Sequence, residues 1–158
     1  MTKKSIIIAG LLAALVAAFS VVPLAASPSR DQQLVIGVRV DFTSSTEASG
    51  TFAACCAVND SGSAQVEVTS FTPRPNNTAT FEAMQTLAGS KGEIVLFLRG
   101  TTGPLDSDVH VARGRWRVVG GTGAYEDLRG RGAFTAVTDQ LTGALTAINR
   151  GKASGAGS

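Results

Sequence analysis

The sequence predicts an all-β domain, a closed antiparallel barrel of about eight strands, with a β-sandwich as the competing architecture. Three observations carry that expectation. The chain beyond its first residues is rich in Gly, Thr, Val and Ala. Short alternating or β-branched runs recur at roughly ten-residue spacing, each closed by turn residues. No stretch keeps apolar residues at a 3.6-residue period for long enough to build a substantial helix.

The first element stands apart from that pattern. Lys3 and Lys4 precede an uncharged apolar run from Ser5 to Val22, and the small residues Ala25, Ala26 and Ser27 follow. Residues 1–26 therefore read as a secretory signal peptide cut after Ala26, which predicts a secreted, extracytoplasmic protein. An uncleaved membrane anchor is the alternative, since the run is just long enough to span a bilayer. Residues 27–150 are assigned to one barrel domain, about 130 residues being a comfortable size for a single core. Residues 151–158 are expected to be a disordered tail.

Within the domain, Leu34–Thr43 alternates, with Leu34, Ile36, Val38, Val40 and Phe42 on one face. Gly50–Val58 and Ala64–Thr72 follow, separated by the turn Asn59-Asp60-Ser61-Gly62. Pro73 to Asn77 must be a loop, because two prolines and two asparagines do not fit a central strand. Thr78–Leu87 and Glu93–Thr101 flank the turn Gly89-Ser90-Lys91-Gly92. Val109–Val119 places His110, Ala112, Gly114, Trp116 and Val118 on one face and Val111, Arg113, Arg115 and Arg117 on the other. Gly132–Thr138 and Leu141–Asn149 complete eight runs.

Lys3 and Lys4 account for the whole of the formal +2 charge, so the domain itself is neutral. Neutrality argues against nucleic acid, or a membrane surface once the signal is removed, as the main partner. Cys55 and Cys56 are the two cysteines. Adjacent strand residues point to opposite faces, so a vicinal disulfide needs a strained turn. Half-buried free thiols, intermolecular bonds or a soft metal are the alternatives. His110 is the sole histidine, so no His-rich metal centre is expected, and no G-x-S-x-G elbow supports a serine hydrolase. If Trp116 faces inward then so does His110, and the two would line the lumen with Gln85. A hydrogen-bonded core histidine is the simpler reading of His110. Arg113, Arg115 and Arg117 form an outward row that Glu67, Glu82 and Glu93 would neutralise across strands, an anion-binding stripe being the alternative. Asn76-Asn77-Thr78 has the form of a glycosylation acceptor.

The most distinctive stretch is Trp116–Phe134, WRVVGGTGAYEDLRGRGAF. It does not fit a dinucleotide fingerprint, because Glu126 stands where the third glycine belongs, and it lacks the Gly-Lys-Ser/Thr of a phosphate loop. Gly120 to Gly123 let the chain leave its strand through positive φ. Tyr125 and Leu128, three apart, would lie on one face of a single turn capping the barrel. Gly130 and Gly132 would offer flat backbone for Trp116 or Tyr125 to cover. Val118-Val119-Gly120-Gly121-Thr122-Gly123, the aromatic Tyr125 and Arg129-Gly130 resemble the hallmark of the dirigent and allene oxide cyclase-like barrels, in a bacterial-type member. The resemblance covers about 20 residues. It implies a calycin-like, eight-stranded, secreted and commonly trimeric barrel that steers a small apolar substrate without a cofactor. Leu128 and Arg131-Gly132 depart from the family pattern, and the acidic motif of plant members has no counterpart here, so no catalytic residue is carried over.

The expected function is binding of a small apolar molecule in the lumen. A cofactor-independent cyclase or isomerase, and a structural protein whose lumen is filled by its own side chains, are the alternatives. Val95 and Phe97, on the outer face of an apolar fifth strand, predict burial against a second subunit, cover by the N-terminal segment or a loop of the same chain being the alternative.

Overall fold

The computed structural model describes residues 31–155, so the expected signal peptide and its cleavage site lie outside the described residues. Eight strands follow in order: β1 (Gln32–Phe42), β2 (Glu47–Cys56), β3 (Asp60–Arg74), β4 (Thr78–Gly89), β5 (Gly92–Pro104), β6 (Val109–Gly121), β7 (Arg129–Asp139) and β8 (Ala144–Ser154). Each pairs antiparallel with the next, and β8 pairs with β1, closing the barrel. The sandwich is thereby excluded. One 3-10 turn, Gly123–Tyr125, separates β6 from β7.

The inward face is the one the alternation predicts. Leu34, Ile36, Val38 and Val40 of β1 are buried together with Leu96, Leu98, Trp116, Phe134 and Ala147. Two aromatic rings fill the lumen by lying across glycines of neighbouring strands. A Cβ on Gly151 would fall 2.7 Å from Trp116 Cζ2, while Cβ atoms on Gly114 and Gly100 would fall 2.7 and 2.9 Å from the Phe134 ring. Trp116 Nε1 also donates to the Ala133 carbonyl at 3.1 Å, so the indole is anchored as well as packed.

Every strand departs from its sequence-based bounds, most by running longer. Pro73 and Arg74, expected in a loop, end β3 instead, paired with Ala79 and Thr78, so the connection shrinks to Pro75, Asn76 and Asn77. The last and third strands depart further. The last begins at Ala144, not Leu141, because Asp139 Oδ1 accepts from the Leu141 and Thr142 amides and Gly143 turns with φ of 73°. It then runs on through residues assigned to a disordered tail. Gly151 to Ala153 pair with Leu34 to Gln32 on one side and Gly132 to Gly130 on the other, and Ala153 is buried. A strand that completes a closed barrel finds partners for both edges, which is what orders this segment. The third strand carries a bulge between Val68 and Ser70. The extra residue inverts the facing of everything beyond it.

The barrel has two unlike ends. The floor carries the start of β1, the end of β8 and the β2–β3, β4–β5 and β6–β7 connections. The mouth carries the β1–β2, β3–β4, β5–β6 and β7–β8 connections.

Candidate functional site

The floor is a plug. Val58, Tyr125 and Leu128 are buried there against Leu34 and Ile94. Asp60, at the head of β3, ties the three floor connections together. Its carboxylate accepts from the Tyr125 hydroxyl at 2.9 Å, from Ser90 through both amide and hydroxyl, and from the Lys91 and Ser61 amides. Burial opposes ionisation of Asp60, yet the hydrogen bonds from Tyr125, Ser90, Lys91 and Ser61 outweigh it and hold the carboxyl far below its usual range. Burial, and then the Asp60 hydrogen bond and charge, push the Tyr125 phenol well above its ordinary value.

The glycine motif serves this plug. Gly123 is the motif residue with positive φ, at 60°, and the Ala124 amide donates to the Lys91 carbonyl at 2.9 Å. Gly121 is required for a different reason, since a Cβ there would strike the Tyr125 carbonyl. Gly130 lies close to Ala153, whose Cβ would stand 3.0 Å from an added one. Gly120 has neither constraint: its φ is not positive and a Cβ would make ordinary contact with Val95. The expectation that Gly120 to Gly123 all use positive φ is corrected to Gly123 alone.

Mid-lumen, Asn149 Nδ2 of β8 donates to Gln85 Oε1 of β4 at 2.8 Å, and both residues are fully or almost fully buried. β4 and β8 are diametrically opposed in the strand order, so this bond spans the lumen. Asn149 Oδ1 is buried without a hydrogen-bond partner among the described residues. Just on the mouth side, Phe81 meets Phe134 edge to face with ring centres 6.0 Å apart. Side chains thus bridge the barrel at its waist.

Gln85, Trp116 and His110 do not converge as expected. Gln85 is in the crossbar, whereas Trp116 packs over Gly151 and bonds the Ala133 carbonyl. His110 shares their inward face but sits half-buried beside Pro104 and Thr138 at the mouth, roughly 20 Å along β6 from Trp116 at ~3.4 Å per residue.

The mouth is apolar and incompletely covered. Beyond the β3 bulge, Phe71 stands opposite Phe81 and therefore shares its inner face, yet it is 59% exposed. Phe42, Val66, Phe81 and Leu145 are half-buried against the core. Leu105 and Leu141, on the β5–β6 and β7–β8 connections, are 68% and 79% exposed. The Gln140 amide donates to the Asp108 carbonyl at 2.7 Å and ties those two connections together. Sequence reasoning missed Phe71 because the bulge is invisible in the alternation of β3. It also missed Asn149, although a polar residue in the inward phase of Leu145 and Ala147 was a readable signal.

The cysteines sit at the floor end of β2. Cys56 has φ of 82°, so the pair leaves strand geometry, and the two sulfurs lie 2.9 Å apart, exposed and unbonded. The contact with Cys55, through its hydrogen bond first, pushes the Cys56 thiol up. Val95 and Phe97 are on the outer face as expected, but only half exposed, with the Arg117 guanidinium 5.1 Å above the Phe97 ring. No protein-family model, characterised protein or solved structure matches the chain.

Proposed function

We propose that this protein binds a small, largely apolar molecule, and that the ligand seats at the mouth of the barrel, above the waist. Phe71 carries the reading: a large aromatic on the inner face, left mostly in water beside the half-buried Phe81. With Leu105 and Leu141 exposed at the same end, the mouth gathers apolar surface, and gathered apolar surface supports a binding site where a single exposed residue would not. The plugged floor and the amide crossbar favour the mouth over a through-going lumen. His110 and Thr138 offer polar groups at the rim, which would orient a ligand bearing one oxygen. Export from the cytoplasm, and kinship with the dirigent and allene oxide cyclase-like barrels, belong to the same proposal and rest on the leader and on the glycine motif.

The second reading, a barrel filled by its own side chains, is favoured by one observation, the bond across the waist. Titration with Nile red, a neutral solvatochromic dye, separates the two. Blue-shifted, saturable emission that is lost in Phe71→Ser supports the mouth site. Absence of binding, or binding indifferent to Phe71→Ser, overturns it in favour of the filled barrel.

A further inference from the structure

The outer wall of β5 to β8 carries a grid of cations that the strand register sets face to face. Arg99 stands opposite Arg115, Arg117 opposite Arg131, and Arg131 opposite Lys152; Arg115 and Arg150 flank Ala133. All six are exposed. Like charges directly opposite across strands destabilise a sheet, and arginine cannot shed its proton to relieve the repulsion. The neutralising partners expected for this face are elsewhere. Glu67 stands opposite Glu47, and Glu93 opposite Ala88. Only Glu82 reaches the grid, 3.6 Å from Arg99, and with side chains 77% and 40% exposed that pair contributes little. A domain neutral as a whole has therefore sorted its charge.

The grid is also concave. A cavity of about 510 Å³ is lined by Phe97, Arg99, Arg115, Arg117, Arg131 and the Gly132 backbone. Its neighbour, about 460 Å³, shares Arg131 and adds Arg129 and Lys152, with Asp31 at its edge. Arg117 is held over the Phe97 ring, so one guanidinium is fixed in advance. Ala133 places only a methyl group between Arg115 and Arg150. Planar guanidinium groups recognise phosphate, sulfate and carboxylate through paired hydrogen bonds, and cavities of this size suit small molecules.

We propose that this wall is a binding site for a compact polyanion, a small molecule carrying two or more phosphate or sulfate groups, held chiefly by Arg115 and Arg131. Arg115 and Arg131 are diagonal neighbours across β6 and β7, so two anionic groups about 7–8 Å apart match their spacing. The site is independent of the mouth and lies on the opposite side of the barrel wall.

The test is calorimetric titration of the protein with tripolyphosphate, alongside inorganic sulfate and a single-stranded DNA oligomer. Tripolyphosphate should bind one to one and lose affinity as sodium chloride is raised. Arg115→Gln with Arg131→Gln should weaken it about tenfold or more, two charge-assisted contacts being lost. Arg39→Gln, an exposed arginine on β1 outside the grid, should leave it unchanged. Without ligand the double variant should melt higher than the parent, since repulsion is relieved, and tripolyphosphate should raise the melting temperature of the parent alone. No binding, equal loss in Arg39→Gln, or a double variant that melts lower would overturn the proposal. Tighter binding of the DNA oligomer than of tripolyphosphate would also overturn it, replacing the compact ligand by a nucleic-acid strand.

Discussion

The floor and the mouth are built from the same eight strands, yet they spend their side chains differently. At the floor, one carboxylate at the head of β3 gathers donors from the two other connections, and Tyr125 and Leu128 close over the core. At the mouth, longer-range ties run only through backbone amides, from Gln140 to Asp108 and from Val68 to Thr46, and the side-chain bonds are local: Asp106 Oδ1 accepts from the Asp108 and Val109 amides, and the Ser44 hydroxyl from Thr46 and Glu47. Those bonds shape each loop but do not draw the loops over the opening. The most exposed large apolar side chains, Phe71, Leu105 and Leu141, consequently lie at the mouth. An end whose side chains make long-range contacts stabilises the fold, and an end whose side chains bond mainly within their own loops is left available for binding.

The largest effect belongs to the packed lumen. Trp116→Ala should destabilise the domain by about 3–5 kcal/mol, because the indole fills the space over Gly151 and no neighbour can replace it. A change within about 0.5 kcal/mol in denaturant titration would mean that the packing over these glycines carries no weight.

Tyr125→Phe comes next, at about 1.5–3 kcal/mol for a bond to an ionised acceptor. Its pH dependence sharpens the point. Asp60 titrates lower in the fold than in the unfolded chain, so its contribution is present above the ordinary value of 3.8 and is lost as pH falls below it. Tyr125 titrates higher in the fold, so stability also declines as pH rises above 10.0. Thermal melts across pH should show both limbs in the parent, a shallower acid limb in Tyr125→Phe, and none of the alkaline limb that Tyr125 supplies.

At the waist, Asn149→Leu should cost about 1–3 kcal/mol, because Gln85 Oε1 is left buried and unpaired. Adding Gln85→Met should recover that loss, since removing both partners removes the desolvation penalty too. A double variant less stable than the single one would show that the crossbar does more than satisfy itself. The smallest effect belongs to the mouth. Phe71→Ser should change unfolding free energy by no more than about 0.5 kcal/mol, as for an exposed side chain away from caps and networks.

How far the sequence carries one toward this picture depends on the range of the interaction. The closed barrel, the inward phase of β1 and β6, and the capping turn around Tyr125 and Leu128 follow from spacing alone. A period of two and a three-residue interval are local properties. Asp60 was readable only as a turn residue, since its partners Ser90, Lys91 and Tyr125 lie 30 or more positions away. The arginine grid was visible as a row on β6 but not as a field. Arg99, Arg131 and Lys152 join it only once the register is known. Phe71 was hidden by one inserted residue, because a bulge reverses facing without altering composition.

The pairing of Gln32 with Ala153 brings the two ends of the domain side by side at the floor. A short linker across that gap, with new ends opened at the exposed β3–β4 turn around Asn76 and Asn77, is a natural circular permutation. The same neighbourhood fixes a direction. Any chain leaving through Asp31, whether a tether or a fusion partner, departs from the floor, so an anchored barrel would present its mouth away from whatever holds it.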